Sequence, residues 1–297
     1  MLSSLRSSFF TVRPLAGILL SLCVMSAANA QQFYYNNFEQ FSGSQLYDEE
    51  TWEQDWLEPA WEDGIREGRV SVIRGSEAYR GGASLAVTFP KGGVGTKDGG
   101  AQWKLELPGP YTMVRLRYLV KFGSGFDFVR GGKLPGLAGG TAPTGNRTAD
   151  GYNGFSTRLM WRTPFEGTPG DPRQCTANML TYSKHPGSGF DGEGRDEDDD
   201  YWTDKKGELI EIQSGRWYRV TQLVKMNSDG RSNGRMKCWL NGKLALDKRG
   251  IEFRKTRDFG VDVFYFSTFF GGGSEEWAPS KDEVIYFDEF DITIRKK

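Results

Sequence analysis

The chain has 297 residues, of which 37% are hydrophobic, 14% aromatic and 26% charged, and its formal net charge at pH 7 is -1. These values exclude an intrinsically disordered chain, a collagen-like repeat and a basic arm that binds nucleic acid. Thirty-nine glycines, twenty phenylalanines, twelve tyrosines and nine tryptophans are typical of an all-β domain, because glycine forms turns and aromatic rings fit pleated surfaces.

The first thirty residues have the pattern of a secretory signal peptide. Arg6 and Arg13 precede an apolar run over residues 15–25, and Ala28 and Ala30 form a small-x-small cleavage site. The apolar run is short for a membrane span. We therefore expect residues 1–30 to be removed and the mature chain to be secreted or periplasmic, with no membrane anchor. Its 36 basic and 39 acidic side chains give a net charge of -3.

Segments of alternating polarity follow one another through the mature chain and predict antiparallel strands. The predicted strands cover residues 68–74, 84–89, 100–107, 112–122, 154–162, 177–182, 217–226, 234–240, 243–249, 261–270 and 283–294. The Asn241-Gly242 pair between two apolar runs is a strong hairpin signal. The pattern predicts one all-β domain over residues 31–297, a two-sheet antiparallel β-sandwich of the jelly-roll, concanavalin A-like type, and we expect a monomer.

An acidic segment interrupts this pattern. Residues 187–200 contain seven carboxylates and four glycines, which is typical of a solvated loop. Oxygen ligands between Asp191 and Asp200 would permit a structural Ca²⁺, although no complete calcium-loop pattern is present. We otherwise expect no cofactor. Cys175 and Cys238 either form one disulfide in an oxidising compartment or remain two thiols.

The residue types argue against several kinds of active site. His185 is the only histidine, so no multi-histidine metal centre can form, and no G-x-S-x-G motif marks a serine nucleophile. The last predicted strand carries Glu289 and Asp291, but Ile294 stands where a glycosidase E-x-D-x-x-E pattern needs its third carboxylate. A glycoside hydrolase whose carboxylates form no recognisable motif remains an alternative.

Several ordered strings of residues resemble one family of enzymes. Residues 129–140 read VRGGKLPGLAGG, residues 155–162 read FSTRLMWR, residues 181–186 read TYSKHP, and residues 268–290 contain FFGGG and WAPSKD. In these segments the chain resembles the alginate and glucuronate lyases of polysaccharide lyase family 14, over roughly residues 122–294. The resemblance implies a secreted jelly roll that cleaves an acidic, uronate-containing polysaccharide such as alginate or glucuronan by β-elimination.

The resemblance also implies a set of site residues. The lysine of the family's GGKLPG string corresponds to Lys133, and its S-x-R strand supplies Ser156 and Arg158. The family's Tyr-x-Tyr pair is incomplete here. Tyr182 matches one tyrosine, but Leu180 and Lys184 stand at the positions two residues away.

These residue types suit the chemistry of elimination. The carbon 5 proton of a uronate is too weakly acidic to leave while the neighbouring carboxylate is fully charged, so that charge must be neutralised. We predict that Arg158 clamps the carboxylate, that Tyr182 transfers a proton where cations stabilise its phenolate, and that Lys133 stabilises the enolate-like intermediate or itself moves the proton. The residues predicted to bind substrate are Ser156, Arg130, Lys104, Lys184 and His185.

A polyuronate requires a positive groove, whereas the mature chain is acidic, so the attraction has to be local. The cations that must converge are Lys104, Arg130, Lys133, Arg158, Arg162 and Lys184. Trp161 is predicted in the core, while Trp52, Trp56 and Trp61 suit either the core or a sugar platform. A non-catalytic carbohydrate-binding module on the same sandwich is the second alternative.

Overall fold

The computed structural model describes residues 30–163, 176–188, 200–272 and 274–295. These residues form short helices α1 (Glu49–Asp55) and α2 (Gly95–Asp98) and two 3-10 turns, Tyr79–Gly81 and Glu275–Trp277. The strands are β1 (Ala30–Asn36), β2 (Gln45–Leu46), β3 (Ala60–Asp63), β4 (Val70–Arg74), β5 (Ala83–Phe89), β6 (Ala101–Tyr111), β7 (Met113–Phe122), β8 (Gly131–Gly140), β9 (Gly154–Arg162), β10 (Thr176–Lys184), β11 (Asp200–Tyr201), β12 (Glu211–Gln213), β13 (Trp217–Lys225), β14 (Gly234–Leu240), β15 (Lys243–Ile251), β16 (Val261–Phe270) and β17 (Glu283–Arg295).

The strands form two antiparallel sheets. The nine-stranded sheet has the order β15-β14-β13-β7-β17-β5-β4-β2, and β1 also pairs with β17. The eight-stranded sheet has the order β11-β10-β9-β8-β16-β6-β3, and β12 pairs with β10. The predicted all-β, two-sheet antiparallel sandwich is confirmed.

Several strands have the predicted bounds, and one important strand was not predicted. β9, β14 and β16 begin and end at the predicted residues, and Asn241 and Gly242 form the predicted hairpin turn with φ values of 50° and 80°. The sequence of β8 lacks alternation, because five of its ten residues are glycine and Lys133 is its only charged residue. A strand of small and apolar residues has no period-2 signal on which a prediction can depend.

Aromatic side chains fill the space between the two sheets. Trp103 of β6 stacks on Phe266 of β16 with ring centroids 3.8 Å apart, and Trp56 contacts Trp103 at 5.0 Å and Phe290 of β17 at 5.2 Å. Burying a side chain of this size contributes about 2–3 kcal/mol. This shared core fixes the position of the eight-stranded sheet, whose other face points away from the core.

The four tryptophans discussed above separate into core and surface. Trp161 is completely buried, as predicted, and Trp52 and Trp56 also belong to the core. Trp61 is 51% exposed and is the one of these four that a sugar can reach.

Some predictions fall on residues outside the described ranges. They concern the signal peptide up to residue 29, Cys175, and residues 189–199 of the acidic segment, so the predicted calcium site stays a prediction. Asp200, at its end, forms an ion pair of 3.0 Å with Lys248. Cys238 is a free, fully buried thiol whose pKa is raised to about 12 by burial. In the described ranges no helix is long and apolar enough to cross a membrane.

Candidate active site

A cleft lies on the face of the eight-stranded sheet that points away from the nine-stranded sheet. Successive side chains of a strand point to opposite faces, so in β16 Phe264 and Phe266 enter the core while Tyr265 lines the cleft. In β9, Leu159 likewise enters the core and Arg158 lines the cleft. The cleft has a volume of about 600 Å³, enough for a few sugar residues by comparison with typical ligand sites of about 300–1,000 Å³.

Strand pairing brings the three residues predicted to be catalytic side by side. Lys133 of β8 is opposite Met160 of β9, and Arg158 of β9 is opposite Tyr182 of β10. All four side chains line the cleft. Because directly opposite residues on one sheet face lie about 5 Å apart, Lys133, Arg158 and Tyr182 form one cluster on three adjacent strands.

Arg158 is a buried cation at the floor of the cleft. Only 3% of the residue is exposed, and its Nη1 donates a hydrogen bond of 3.0 Å to the Ser267 hydroxyl. Its guanidinium carbon lies 5.1 Å from the ring centroid of Tyr265 and 6.0 Å from that of Tyr182. Burial lowers the pKa of Arg158, but a guanidinium still stays protonated at neutral pH. The group therefore retains a full positive charge in a poorly solvated position.

The hydrogen-bonding capacity of Arg158 is not exhausted by these contacts. Its buried Nε has no hydrogen-bond partner, and within the described ranges no carboxylate lies within 4 Å of the guanidinium. A buried, unpaired donor on a charged group is costly. An anionic ligand in the cleft would supply the missing partner.

Lys133 and Tyr182 are in direct contact beside this arginine. The Lys133 ammonium lies 3.3 Å from the centroid of the Tyr182 ring and donates to the Met160 sulfur at 2.7 Å. The Lys184 ammonium lies 5.4 Å from the same ring centroid. Two ammonium groups therefore place positive charge beside one aromatic ring.

The sequence reasoning missed Tyr265, which completes the floor of the cleft. Its hydroxyl donates to Oε1 of Gln102 at 3.1 Å, and Nε2 of Gln102 donates to Asp63 at 2.5 Å and Thr96 at 2.7 Å. Burial raises the pKa of Tyr265, so this phenol stays neutral. Its signal in the sequence was parity: Tyr265 and Ser267 alternate with Phe264 and Phe266, which pointed these two residues away from the core.

The two ends of the cleft each pair a cation with a tryptophan. At one end the Lys104 ammonium lies 5.4 Å from the Trp61 ring centroid and 5.3 Å from that of Tyr265. Burial, followed by the charges of Arg147 and Arg158, lowers the pKa of Lys104. At the other end Arg162 lies over the Trp277 ring at 4.8 Å. Such flat aromatic surfaces beside cations suit a charged sugar chain.

Three residues predicted to bind substrate lie elsewhere. Ser156 shares the face of Arg158, but it is completely buried and its hydroxyl donates to the Pro143 carbonyl at 2.6 Å. Arg130 forms an ion pair of 2.7 Å with Glu276, and the His185 ring lies beside Pro186, with Nδ1 2.9 Å from its carbonyl oxygen. None of the three lines the cleft.

Positive charge is concentrated at the cleft although the chain as a whole is acidic. Lys133, Arg158 and Arg162 line it, and Lys104 and Lys184 lie against the rings of its tyrosines. Among the described residues that line the cleft there is no aspartate or glutamate. The described lining of the cleft is therefore positively charged and offers no pair of carboxylates of the kind that glycoside hydrolases need.

The carboxylates of the last strand lie on the other sheet. Glu289 and Asp291 belong to β17, where Glu289 lies 3.5 Å from Arg219 and Asp291 lies 2.8 Å from Arg117. Both carboxylates therefore lie outside the cleft, in ion pairs on the nine-stranded sheet.

Solved structures with the same fold include several alginate lyases. The chain is 24% identical to alginate lyase Aly36B, with a TM-score of 0.67 over 89% of this chain and 96% of that chain. It is 20% identical to the PL-14 alginate lyase from Aplysia kurodai, with a TM-score of 0.66 over 89% and 99%. It is 19% identical to alginate lyase vAL-1 from Chlorella virus, with a TM-score of 0.57 over 80% and 92%.

Comparison at the level of sequence families identifies the chain. None of the curated protein sequences compared with it matches. The family model described as Polysaccharide lyase 14 matches residues 77–290, a range that includes every strand lining the cleft except β3. The chain therefore belongs to polysaccharide lyase family 14 and is a polysaccharide lyase.

Proposed function

We propose that this lyase cleaves a uronate-containing polysaccharide, of the alginate or glucuronan type, by β-elimination in the cleft described above. The observation that carries the proposal is Arg158, a guanidinium that is almost completely buried and has no carboxylate within 4 Å in the described ranges. Leaving a buried charge without its partner costs about 3–5 kcal/mol. The carboxylate of a uronate residue would offset that cost with a planar, two-pronged hydrogen-bonded pair.

The relatives with the same fold support an acidic substrate. They are alginate lyases, and a variant of Aly36B in which a lysine and a tyrosine are replaced by alanine was solved in complex with an alginate tetrasaccharide. In the present chain a lysine and a tyrosine, Lys133 and Tyr182, are in contact at the centre of the cleft. We assign the proton transfer to this pair.

The first step is neutralisation of the substrate carboxylate. Pairing with Arg158 withdraws electrons from the carboxylate, which makes the carbon 5 proton more acidic and stabilises the enolate-like state that follows its removal. Tyr265 and Ser267 keep the guanidinium in place, because the ring of one and the hydroxyl of the other contact it. The buried position strengthens the interaction, since water competes poorly there.

The second step breaks the chain. A base removes the carbon 5 proton, the electrons of that bond form the double bond between carbons 4 and 5, and the bond from carbon 4 to the bridging oxygen breaks. That oxygen leaves with a proton. We propose that the Tyr182 phenolate, stabilised by Lys133 and Lys184, takes the first proton and that Tyr182 or Lys133 supplies the second.

We propose that the enzyme needs no metal for this reaction. The positive charge that the carboxylate requires comes from Arg158, and the described side chains that line the cleft supply nitrogen cations, phenols and amides rather than carboxylates. Activity on a uronan after dialysis against a chelator should equal activity before it, whereas a loss restored by Ca²⁺ would contradict this part of the proposal.

Ultraviolet absorbance tests the proposed reaction. Purified residues 31–297 are incubated with mannuronate-rich alginate, guluronate-rich alginate, glucuronan and a neutral glucan, beside Lys133→Ala and Arg158→Ala. We expect absorbance from the unsaturated uronate to rise on at least one uronan and both variants to lose that rise. New reducing ends without absorbance would indicate hydrolysis, and retention on an alginate gel without either product would indicate a binding module; both results contradict the proposal.

We also propose that the lyase acts outside the cytoplasm as a monomer. The charged start, apolar run and small-x-small site of residues 1–30 support export. Sequencing the amino terminus of protein recovered from the periplasm or medium should give Gln31 as the first residue. An intact Met1 start on cytoplasmic protein would contradict export.

A further inference from the structure

A second depression lies at one end of the nine-stranded sheet, where β7 begins and β13 and β17 end. Two adjoining hollows of about 610 Å³ and 200 Å³ share Met113 and Arg295 as lining residues, and the smaller one is also lined by Ala30, the last residue of the predicted signal peptide. We call them together the basic groove. The cations that line it are Arg115, Lys225, Arg254, Arg257 and Arg295. The basic groove shares no lining residue with the catalytic cleft.

Most of the charges that line the basic groove have no carboxylate close by. Among its described cations only Arg257 has such a partner, Asp229 at 3.3 Å. The cations with no carboxylate within 4 Å in the described ranges are Arg115, Lys225, Arg254 and Arg295.

Among the described lining residues, five cations and the one acid Asp229 give the basic groove a charge of +4, on a mature chain of net charge -3. Arg254 is half-buried, and its Nη1 donates to the Phe259 carbonyl. Burial, followed by the charge of Arg257, lowers the pKa of Arg254. Like charges held together in this way repel one another, and an anion bound among them would relieve the repulsion.

The remaining lining suits a sugar chain. Pro110, Met113 and Leu223 provide apolar surface, and Thr112 and Ser228 provide hydroxyl groups. One cation is held in position, because Nη2 of Arg115 donates to the Thr293 hydroxyl at 2.9 Å. The described lining of the basic groove contains no tyrosine, so it lacks the phenol that the catalytic cleft uses for proton transfer.

We propose that the basic groove is a second, non-catalytic binding site for a polyuronate chain. The inference rests on the proposed function for its ligand, a carboxylated polysaccharide. A long polymer that touches both sites gains avidity, because binding at one site raises the effective concentration of the chain at the other. A trisaccharide fills only one site and gains nothing.

The test compares two triple variants with the same change of charge. Lys225→Ser, Arg257→Ser and Arg295→Ser remove cations from the basic groove. Arg80→Ser, Lys206→Ser and Arg216→Ser remove three exposed cations elsewhere. Both sets are made in the Lys133→Ala background, and the dissociation constant for high-molecular-mass alginate is measured by affinity electrophoresis.

We expect the groove variant to bind the polymer about five- to tenfold more weakly than its Lys133→Ala parent does. This is the effect of losing three charges that each contribute about 0.3–0.5 kcal/mol to binding. The control variant should change by less than about twofold. In the otherwise native enzyme, the groove substitutions should raise KM for the polymer and leave kcat/KM for a trisaccharide unchanged. Equal weakening in both variants, or unchanged polymer binding in the groove variant, would overturn the inference.

The two proposals fail in different ways. If no uronan gives an absorbance rise with the native enzyme, the proposed function fails, and the affinity comparison still decides whether the groove binds polyuronate. If elimination occurs but the groove variant binds polymer as tightly as the control variant, only the basic groove inference fails. Equal melting temperatures for the two triple variants would show that any difference in affinity comes from the groove itself.

Discussion

Arg158 links the fold to the chemistry at the scale of a single residue. Strand β9 places Arg158 on the sheet face away from the core, and Tyr265 and Ser267 hold its guanidinium in position. Because the side chain is buried, its charge is poorly solvated. A group in this position costs stability and is useful only when an anion binds. Function and stability should therefore respond in opposite directions when it is replaced.

Replacing Arg158 should remove activity without unfolding the protein. We expect Arg158→Gln to lower kcat/KM on a uronan by about 10²–10³-fold, as for loss of a charge-stabilising group in a transition state. Arg158→Lys should recover little of this, because an ammonium cannot form the two-pronged pair. The melting temperature of Arg158→Gln should equal or exceed that of the native protein. A large fall in melting temperature together with activity would instead indicate a structural residue.

Ser156 should behave in the opposite way. Its hydroxyl is completely buried and donates to the Pro143 carbonyl at 2.6 Å. Removing the hydroxyl in Ser156→Ala leaves that carbonyl unpaired, so we expect the free energy of unfolding to fall by about 1–3 kcal/mol. At a temperature where the variant is folded, kcat/KM should stay within about twofold of native. A tenfold loss in kcat/KM without loss of stability would show that Ser156 contacts the substrate.

Asp288 lies far from the cleft, and its titration should make the stability of the protein depend on pH. This aspartate is 2% exposed and accepts a hydrogen bond of 2.7 Å from Ser84, and burial raises its pKa to about 7. In the unfolded chain an aspartate titrates near pH 4. Between about pH 4 and pH 7, Asp288 is protonated in the folded state and ionised in the unfolded chain. Its contribution to the free energy of unfolding is therefore complete below about pH 4 and is lost as the pH rises to about 7.

The variant Asp288→Asn has no such titration. The unfolding free energy of the variant minus that of native protein should increase by up to about 4 kcal/mol between pH 4 and pH 8. Urea denaturation at several pH values measures this difference. A difference that does not change with pH would show that Asp288 is charged in the folded state throughout.

At the scale of the element, strand β8 positions Lys133 in the cleft. Its register shifts between Leu134 and Leu137 as it pairs with β9, which shows a bulge beside Lys133. Gly136 lies in this bulge, and a Cβ added there would meet the Thr157 carbonyl oxygen at 2.3 Å and the Arg158 Cα at 2.7 Å. The close approach of β8 and β9 therefore depends on glycine.

Gly136→Ala should disturb both stability and catalysis. The added methyl group forces β8 and β9 apart, so we expect the unfolding free energy to fall by about 1–3 kcal/mol and kcat/KM to fall with it, because Lys133 and Arg158 move relative to each other. Gly109→Ala on β6 is the matched control, since a Cβ there meets nothing within 4 Å. Equal, small effects of the two substitutions would contradict the role given to the bulge.

Strands in which polar and apolar residues alternate could be predicted from the sequence. Strands without this alternation could not. β9, β14 and β16 were predicted within their observed bounds because one of their faces is core and the other is not. β8 was missed because five of its ten residues are glycine and its sequence has no alternation, whereas β9 alternates although it is buried on both faces as well. The parity argument correctly placed Ser156 and Arg158 on one face, but the contact that covers Ser156 comes from Pro143 in a loop, and a loop's position has no periodic signal.

At the scale of the whole molecule, the site depends on contacts between distant parts of the sequence. Lys133, Arg158 and Tyr182 were found because each stands in a distinctive string, whereas Tyr265 was missed although it contacts Arg158 at 5.1 Å. Tyr265 reaches the cleft only because β16 pairs with both β6 and β8. Sheet order between distant strands is set by packing of the complete core, which local patterns do not specify.

Charge is also arranged at the scale of the whole molecule. The mature chain carries -3 overall, yet the described lining of the catalytic cleft and that of the basic groove each bring several cations together. An acidic surface with two local positive regions keeps the protein soluble and directs a polyanion to those regions.

The most direct test of the account measures whether Arg158 recognises the substrate carboxylate. Calorimetry measures the dissociation constants of two proteins, the Lys133→Ala variant and the same variant with Arg158→Gln added. Each protein is titrated with a short oligouronate and with the same oligosaccharide after its carboxyl groups have been reduced to alcohols. We predict that Arg158→Gln weakens binding of the oligouronate by about 10- to 100-fold and changes binding of the reduced oligosaccharide by less than about twofold. Equal weakening for both ligands, or none for the oligouronate, would contradict the account.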